Sequence, residues 1–235
     1  MSIEHIHVGK GTLAQLFKLP KDMIDYLWER IDVAKKKKIN VKKELAGHVS
    51  HSYKLEDPQN LVIENLFNVV FNSVDNPKMF EFINMELKCI FIRISSKEFG
   101  LEPRLGDMWV NFQKKGEFQP IHDHSGTFSF VIWMDIPYHW KDEAKLPFAK
   151  SGCEKPPGGN FSFVTSDDTS RRVRDSIIQM SPEMNGYCCF FPSNLPHLVY
   201  PFYTSDKDRI SISGNIICSQ VHKEVKQPPF IVSNT

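Results

Sequence analysis

Three histidines, an arginine and a serine have the types and the spacing to do chemistry. His122 and His124 stand two apart in Q-P-I-H-D-H. His197 follows 73 residues later in P-S-N-L-P-H-L-V-Y-P, and Arg209 and Ser211 come 12 and 14 residues after that in D-R-I-S-I-S-G-N-I. On an extended segment side chains alternate in direction, so His122 and His124 point one way and Asp123 the other. Two imidazoles at that spacing form a two-point chelate, and a distant strand can supply a third ligand. His197, beside an aromatic-rich run and a proline-bounded turn, is the downstream candidate. Imidazole suits iron, zinc, copper and nickel alike, so ligand type leaves the metal open. For the pair taken alone, two surface histidines at a turn plus one core histidine are the plain alternative.

The last strand adds a second function. Arg209, Ser211, Ser213 and Asn215 share one face of an extended run, and Ile210, Ile212, Gly214 and Ile216 share the other. If the apolar face packs inward, the polar face looks into solvent or into a hydrated mouth. A guanidinium takes a carboxylate bidentately, and a serine two residues along adds a donor. An ordinary exposed strand face explains the same alternation, less well so soon after a candidate ligand.

His197 followed by Arg209-Ile210-Ser211 resembles the H-x(10–13)-R-x-S ending of the iron(II)/2-oxoglutarate dioxygenase superfamily. Trp109-Val110-Asn111, H-D-H-S-G-T-F-S-F-V-I-W, F-F-P-S-N-L-P-H and R-I-S-I-S-G-N-I look like a group of such oxygenases from phages and marine bacteria. The likeness covers roughly residues 105 to 218 in spaced blocks. It implies a double-stranded β-helix, a jelly-roll variant, behind supporting helices. It implies Fe(II) bound by His122 and His197, and 2-oxoglutarate held by Arg209 with Ser211 beside it. Asn111 and Gln119 are expected along the pocket, Asn111 among the cofactor-binding residues. The superfamily mostly uses H-x-D or H-x-E, and here His124 stands where that carboxylate belongs. The second ligand is then His124, Asp123 or water, and strand phase favours His124. No catalytic residue beyond the metal ligands is expected. Three protein ligands leave three octahedral positions, two for the keto acid and one for dioxygen.

The elements that position these residues change period along the chain. Ile24, Leu27, Ile31 and Ala34 fall at helical spacing and run out into Lys35 to Lys38, cations that suit a helix C-terminus. A second helix is expected after Asp57-Pro58 on Ile63, Leu66, Phe67 and Val70, with Asp57 as cap and Pro58 in the first turn. A third follows Asn76-Pro77 through Phe80, Ile83, Leu87, Ile90, Phe91 and Ile94, with Gly100 as a stop. Strands follow at 108–112, 118–122, 128–134, 161–164, 176–180, 187–191, 197–200 and 209–217. Helices before strands means α+β, and short, evenly spaced strands suggest a double-sheet jelly roll. The expected organisation is a helical region over 1–104, a catalytic core over 105–220 and a tail over 221–235, folding together as one domain. The polar stretch 141–159 is the candidate mobile loop, with a lid as one use for it.

The net charge of +1 gives no field toward nucleic acid or an anionic membrane. Five cysteines without C-x-x-C, and no apolar run near ~20 residues, fit a reducing, cytoplasmic setting. Adjacent Cys188 and Cys189 read as small apolar fillers on opposite strand faces. The expected partners are 2-oxoglutarate, dioxygen and a peptide or small molecule, with peptidyl proline or another amino-acid side chain as the nominal target. A homodimer is compatible with this. Two alternatives stand beside the oxygenase. A cupin-type metal protein would want a glutamate between Ser125 and Trp133, where there is none. A catalytically inactive jelly-roll module would bind a partner through Trp109, Trp133, Tyr138 and Trp140, which are more often core.

Overall fold

A computed structural model describes residues 3–8, 12–71, 99–149, 156–166 and 172–222. In chain order the elements are β1 (Ile3–Val8), β2 (Thr12–Lys18), α1 (Lys21–Lys37), β3 (His51–Lys54), α2 (Leu61–Phe71), β4 (Phe99–Gln113), β5 (Gln119–His122), β6 (Phe128–Asp135), α3 (Trp140–Glu143), β7 (Phe161–Ser166), β8 (Val173–Ile178), β9 (Tyr187–Pro192), β10 (His197–Val199) and β11 (Arg209–His222). They form two antiparallel sheets, one of order β1-β2-β9-β6-β11-β4-β3 and one of order β5-β10-β7-β8. Strand dominates over helix, and no described helix is long and apolar enough to cross a membrane.

Two apolar layers hold the sheets. One lies between the large sheet and α1 and α2, and includes Leu27, Ile31, Leu66, Ile210, Ile212 and Ile216. The other includes Trp133, Phe161, Phe163 and Phe191. β9 shows how strand alternation divides its residues between them. Cys188 and Phe190 enter the helix-side layer, and Cys189 and Phe191 the other. Both cysteines are fully buried free thiols, the filler role expected. Each buried phenylalanine contributes about 2 kcal/mol of burial.

The N-terminal region differs from the helical expectation. β1 and β2 form a hairpin that extends the large sheet through β9, and β3 closes its other edge against β4. In the sequence Gly9 and Gly11 stand between the hairpin's two strands, a turn signal, but neither flanking run alternates cleanly. α1 buries Met23, Leu27, Ile31 and Ala34. Its stripe thus runs through Met23, with Ile24 only packed at its margin. Lys38 ends it in the left-handed conformation, donating its N–H to the Ala34 carbonyl. α2 starts at Leu61, later than expected. Pro58 lies in the turn before it, while the Asp57 carboxylate accepts from the Leu61 and Val62 N–H groups. The helix expected from Asn76 to Ile94, Cys89, Cys153 and the tail beyond 222 lie outside the described residues.

β4 and β11 are not short. They pair from Arg209 opposite Gln113 to His222 opposite Phe99, with a register shift between Gly214 and Ile216. The stretch 141–159 also departs from a free loop where it is described. It opens in α3, and the buried Glu143 carboxylate accepts from the N–H groups of Tyr203 and Thr204 and from the Thr204 hydroxyl.

Candidate metal centre

β5 and β10 run antiparallel with His122 directly opposite His197. His124 lies just past the end of β5, where its N–H donates to the Ser193 carbonyl at 2.8 Å. The three rings therefore meet at the end of the small sheet. Their ligand atoms lie within 4.8 Å of one another, and His124 Nε2 is 3.2 Å from His197 Nε2. Asp123 is exposed and outside this cluster.

Each ring is oriented from behind. His122 Nδ1 lies 2.7 Å from the Pro120 carbonyl and His197 Nδ1 lies 2.9 Å from the Leu195 carbonyl. Carbonyls only accept, so both Nδ1 atoms carry the proton. His124 Nδ1 lies 3.1 Å from Asn215 Oδ1, which also accepts from the Ser129 hydroxyl. With that oxygen as acceptor, all three Nε2 atoms are left with lone pairs that converge. Burial lowers all three pKa values, that of His124 to about 4, helped by His122, and that of His197 well below its ordinary value. Nothing protic separates these lone pairs, so a cation is the group that fits among them. On bonds of roughly 2.1 Å, two cis ligands of an octahedral ion stand about 3 Å apart, close to the His124–His197 separation. Trp109 stacks on His124 at 5.6 Å, and Phe161 and Phe191 pack on His197.

Two cavities meet here, and Trp109, Gln119 and His124 line both. The smaller, of 20 Å³, runs past His197 to Ser211 and Arg209. Arg209 is 2 % exposed. Its Nη1 donates to the Tyr138 hydroxyl at 3.0 Å and to the Gly159 carbonyl at 3.3 Å, while its buried Nε has no partner. Among the described residues no carboxylate forms an ion pair with it. A guanidinium so buried without an anion is costly, and a ligand carboxylate would relieve it.

Asn111 is buried too, but it lines the larger cavity of 560 Å³ rather than the one that holds Arg209 and Ser211. Across β4 and β11 it is the direct partner of Ser211, so it stands at the boundary between the two cavities. Asn215, which orients His124, was visible only as a member of a polar strand face. Tyr138 beneath Arg209 carried no sequence signal beyond being aromatic, because its place depends on a contact 71 residues away. Among the described residues of 141–159, none lines either cavity.

Comparison with known proteins gives one family match. Residues 107–215 match the family model described as "Putative 2OG-Fe(II) oxygenase". No curated protein matches the chain. Among solved structures, a prolyl-4-hydroxylase of Pseudomonas putida is 16% identical, over 86% of this chain and 90% of that one, with a TM-score of 0.46. A viral collagen prolyl hydroxylase from Paramecium Bursaria Chlorella virus-1, solved with 2OG, is 17% identical over 89% and 98%, with a TM-score of 0.44. A Trichoplax adhaerens prolyl hydroxylase, solved with a hypoxia inducible factor peptide fragment, is 9% identical over 86% and 81%, at 0.47. At these scores the assignment rests on the family match, not on the structural likeness.

Proposed function

We propose that the chain, whose residues 107–215 match that family model, is a 2OG-Fe(II)-dependent oxygenase that hydroxylates a substrate held beside His122, His124 and His197. Arg209 and Ser211 seat the distal carboxylate of 2-oxoglutarate. The two sheets are read as a double-stranded β-helix, with 105–220 as its body and 1–104 as its cover. An amino-acid side chain, prolyl included, is the class of substrate carried forward.

The observation that supports this best is the buried, anion-free guanidinium of Arg209 in the same small cavity as His124 and His197. When bound, iron would activate dioxygen, the oxidant, so that one oxygen atom would enter the substrate C–H bond and the other the succinate formed as 2-oxoglutarate is oxidised with loss of carbon dioxide. The chain's own residues do the rest. His122, His124 and His197 present three neutral lone pairs, each locked from behind by a carbonyl or by Asn215. Arg209 fixes which end of the dicarboxylate lies deep, and Ser211 stands two residues along on the same strand face. Phe161, Phe191 and Val199 wall the small cavity and keep water from the keto acid.

The test is anaerobic addition of iron(II) and 2-oxoglutarate, read as the weak metal-to-ligand charge-transfer band in the visible. A band that needs both additions is expected. Metal binding without the band would favour a cupin-type metal protein or an inactive binding module.

A further inference from the structure

The larger cavity is assembled from parts far apart in the chain. β3 and β4 pair with Ser52 opposite Asn111 and Lys54 opposite Trp109. Those side chains, and Asp107 two residues along, therefore share one face of the sheet. β3 is the outer strand of the large sheet and β5 the outer strand of the small one, and residues 39–50 cross from one to the other.

This crossing segment is tied at both ends. The Lys54 N–H donates to the Ile39 carbonyl and the Val41 N–H to the Ser52 carbonyl. At the far end the His48 N–H donates to the Phe118 carbonyl, its ring stacks on Phe118 at 4.9 Å, and the Ser50 N–H donates to Glu117 Oε1. Between these anchors Lys42, Leu45, Ala46 and Gly47 form part of the cavity wall. Gly47 lies against Gln119, whose Cγ would stand 3.3 Å from an added Cβ. Fixed ends and a wall-forming middle are the construction of a flap.

Inside, Asn111 is 2 % exposed. Its Oδ1 accepts from the Ser52 hydroxyl at 2.7 Å, and its Nδ2 has no partner. A buried amide donor left unpaired costs about 1–3 kcal/mol, which an oxygen acceptor on a ligand would recover. The rim carries both signs of charge, Lys42 and Lys54 with Asp107 and Asp123. Among the described residues none of these four forms an ion pair, although Lys54 feels Glu56 at longer range. A buried donor with both charges at hand complements a molecule that carries a carboxylate and an ammonium.

We propose that this cavity binds a small zwitterion of the amino-acid type, its carboxylate toward Asn111 and the lysines and its ammonium toward the aspartates, beneath a flap formed by residues 42–47. The inference rests on the oxygenase reading for the reaction that follows, while binding itself requires neither metal nor keto acid. Asn111 is then a specificity-determining residue for the substrate, seated on β4 directly opposite Ser211.

Tryptic cleavage after Lys42 and Lys43 in the metal-free full chain tests this. The probes are the twenty free L-amino acids at millimolar concentration, each beside its carboxamide and its N-acetyl derivative. At least one free amino acid should slow cleavage several-fold while its blocked forms do not. Lys54→Met should weaken that protection several-fold and keep the charge-transfer band with iron(II) and 2-oxoglutarate. Absence of cleavage without ligand removes the flap. Failure of every free amino acid to protect, or equal protection by blocked forms, overturns the zwitterion. The band of the unaltered protein, recorded in parallel, reads the oxygenase assignment separately, so the two ideas can fail independently.

Discussion

The two cavities on either side of His124 are built on opposite principles. The small one is closed, lined by strand residues that β7, β9 and β11 hold in register, and it buries a cation that no described carboxylate neutralises. The large one is open, gathers residues from 39 to 215, and keeps its charges at a wet rim. A closed pocket with one fixed charge suits a single invariant co-substrate. An open pocket under a tethered segment suits the variable partner. The contrast teaches that generic and specific halves of a reaction are placed on the rigid and the adaptable parts of one scaffold.

Breaking both sides at once should have the largest effect. His124→Ala removes a ligand at the junction, and metal retention should fall by more than the roughly 100-fold typical of losing an outer partner. Metal analysis after gel filtration reads this, and full retention would place the ion elsewhere. Arg209→Met should break only the closed side. 2-Oxoglutarate affinity should drop by about 2–5 kcal/mol, measured by titrating the charge-transfer band. Because a buried charge without an ionic partner is costly in the folded state, the metal-free variant should resist urea at least as well as the parent. A weaker fold with unchanged keto-acid affinity would make Arg209 a structural cation.

Asn215→Ala lets the His124 ring turn, and metal affinity should fall by about 10- to 100-fold, readable by competition with a chromophoric chelator. Gly214→Ala should sharpen the comparison least strongly. Its Cβ would meet Phe130 Cζ at 2.6 Å, and Phe130 lines the small cavity. A stability loss of about 1–3 kcal/mol is expected, with 2-oxoglutarate affinity reduced and flap protection untouched. Equal losses on both sides would mean that the cavities are not mechanically separate.

The closed half was legible because it is strand parity. Arg209, Ser211 and Asn215 on one face and Ile210, Ile212 and Ile216 on the other follow from a period of two, although the register of β11 shifts against β6 between Ile210 and Ser211 and against β4 after Gly214. The histidines were readable for the same reason, although His124 reaches its place just beyond the end of β5. The open half was not legible. Residues 39–50 carry no periodicity, and their position depends on bridges to Tyr53 and Phe118, contacts a local window cannot contain. The β1–β2 hairpin is an intermediate case. Its glycines were visible, but the strong helical stripe of α1 dominated the reading of that region.

The segment from 39 to 50 has a further consequence, for colloidal behaviour. An uncovered outer strand offers unpaired backbone groups to any other chain, and proteins shield such edges against self-association. Here one crossing segment shields part of β3 and part of β5. A substitution that loosens its anchors should therefore cost solubility before it costs fold. The edges through which substrate is admitted are also those at which two copies of the chain would first stick together.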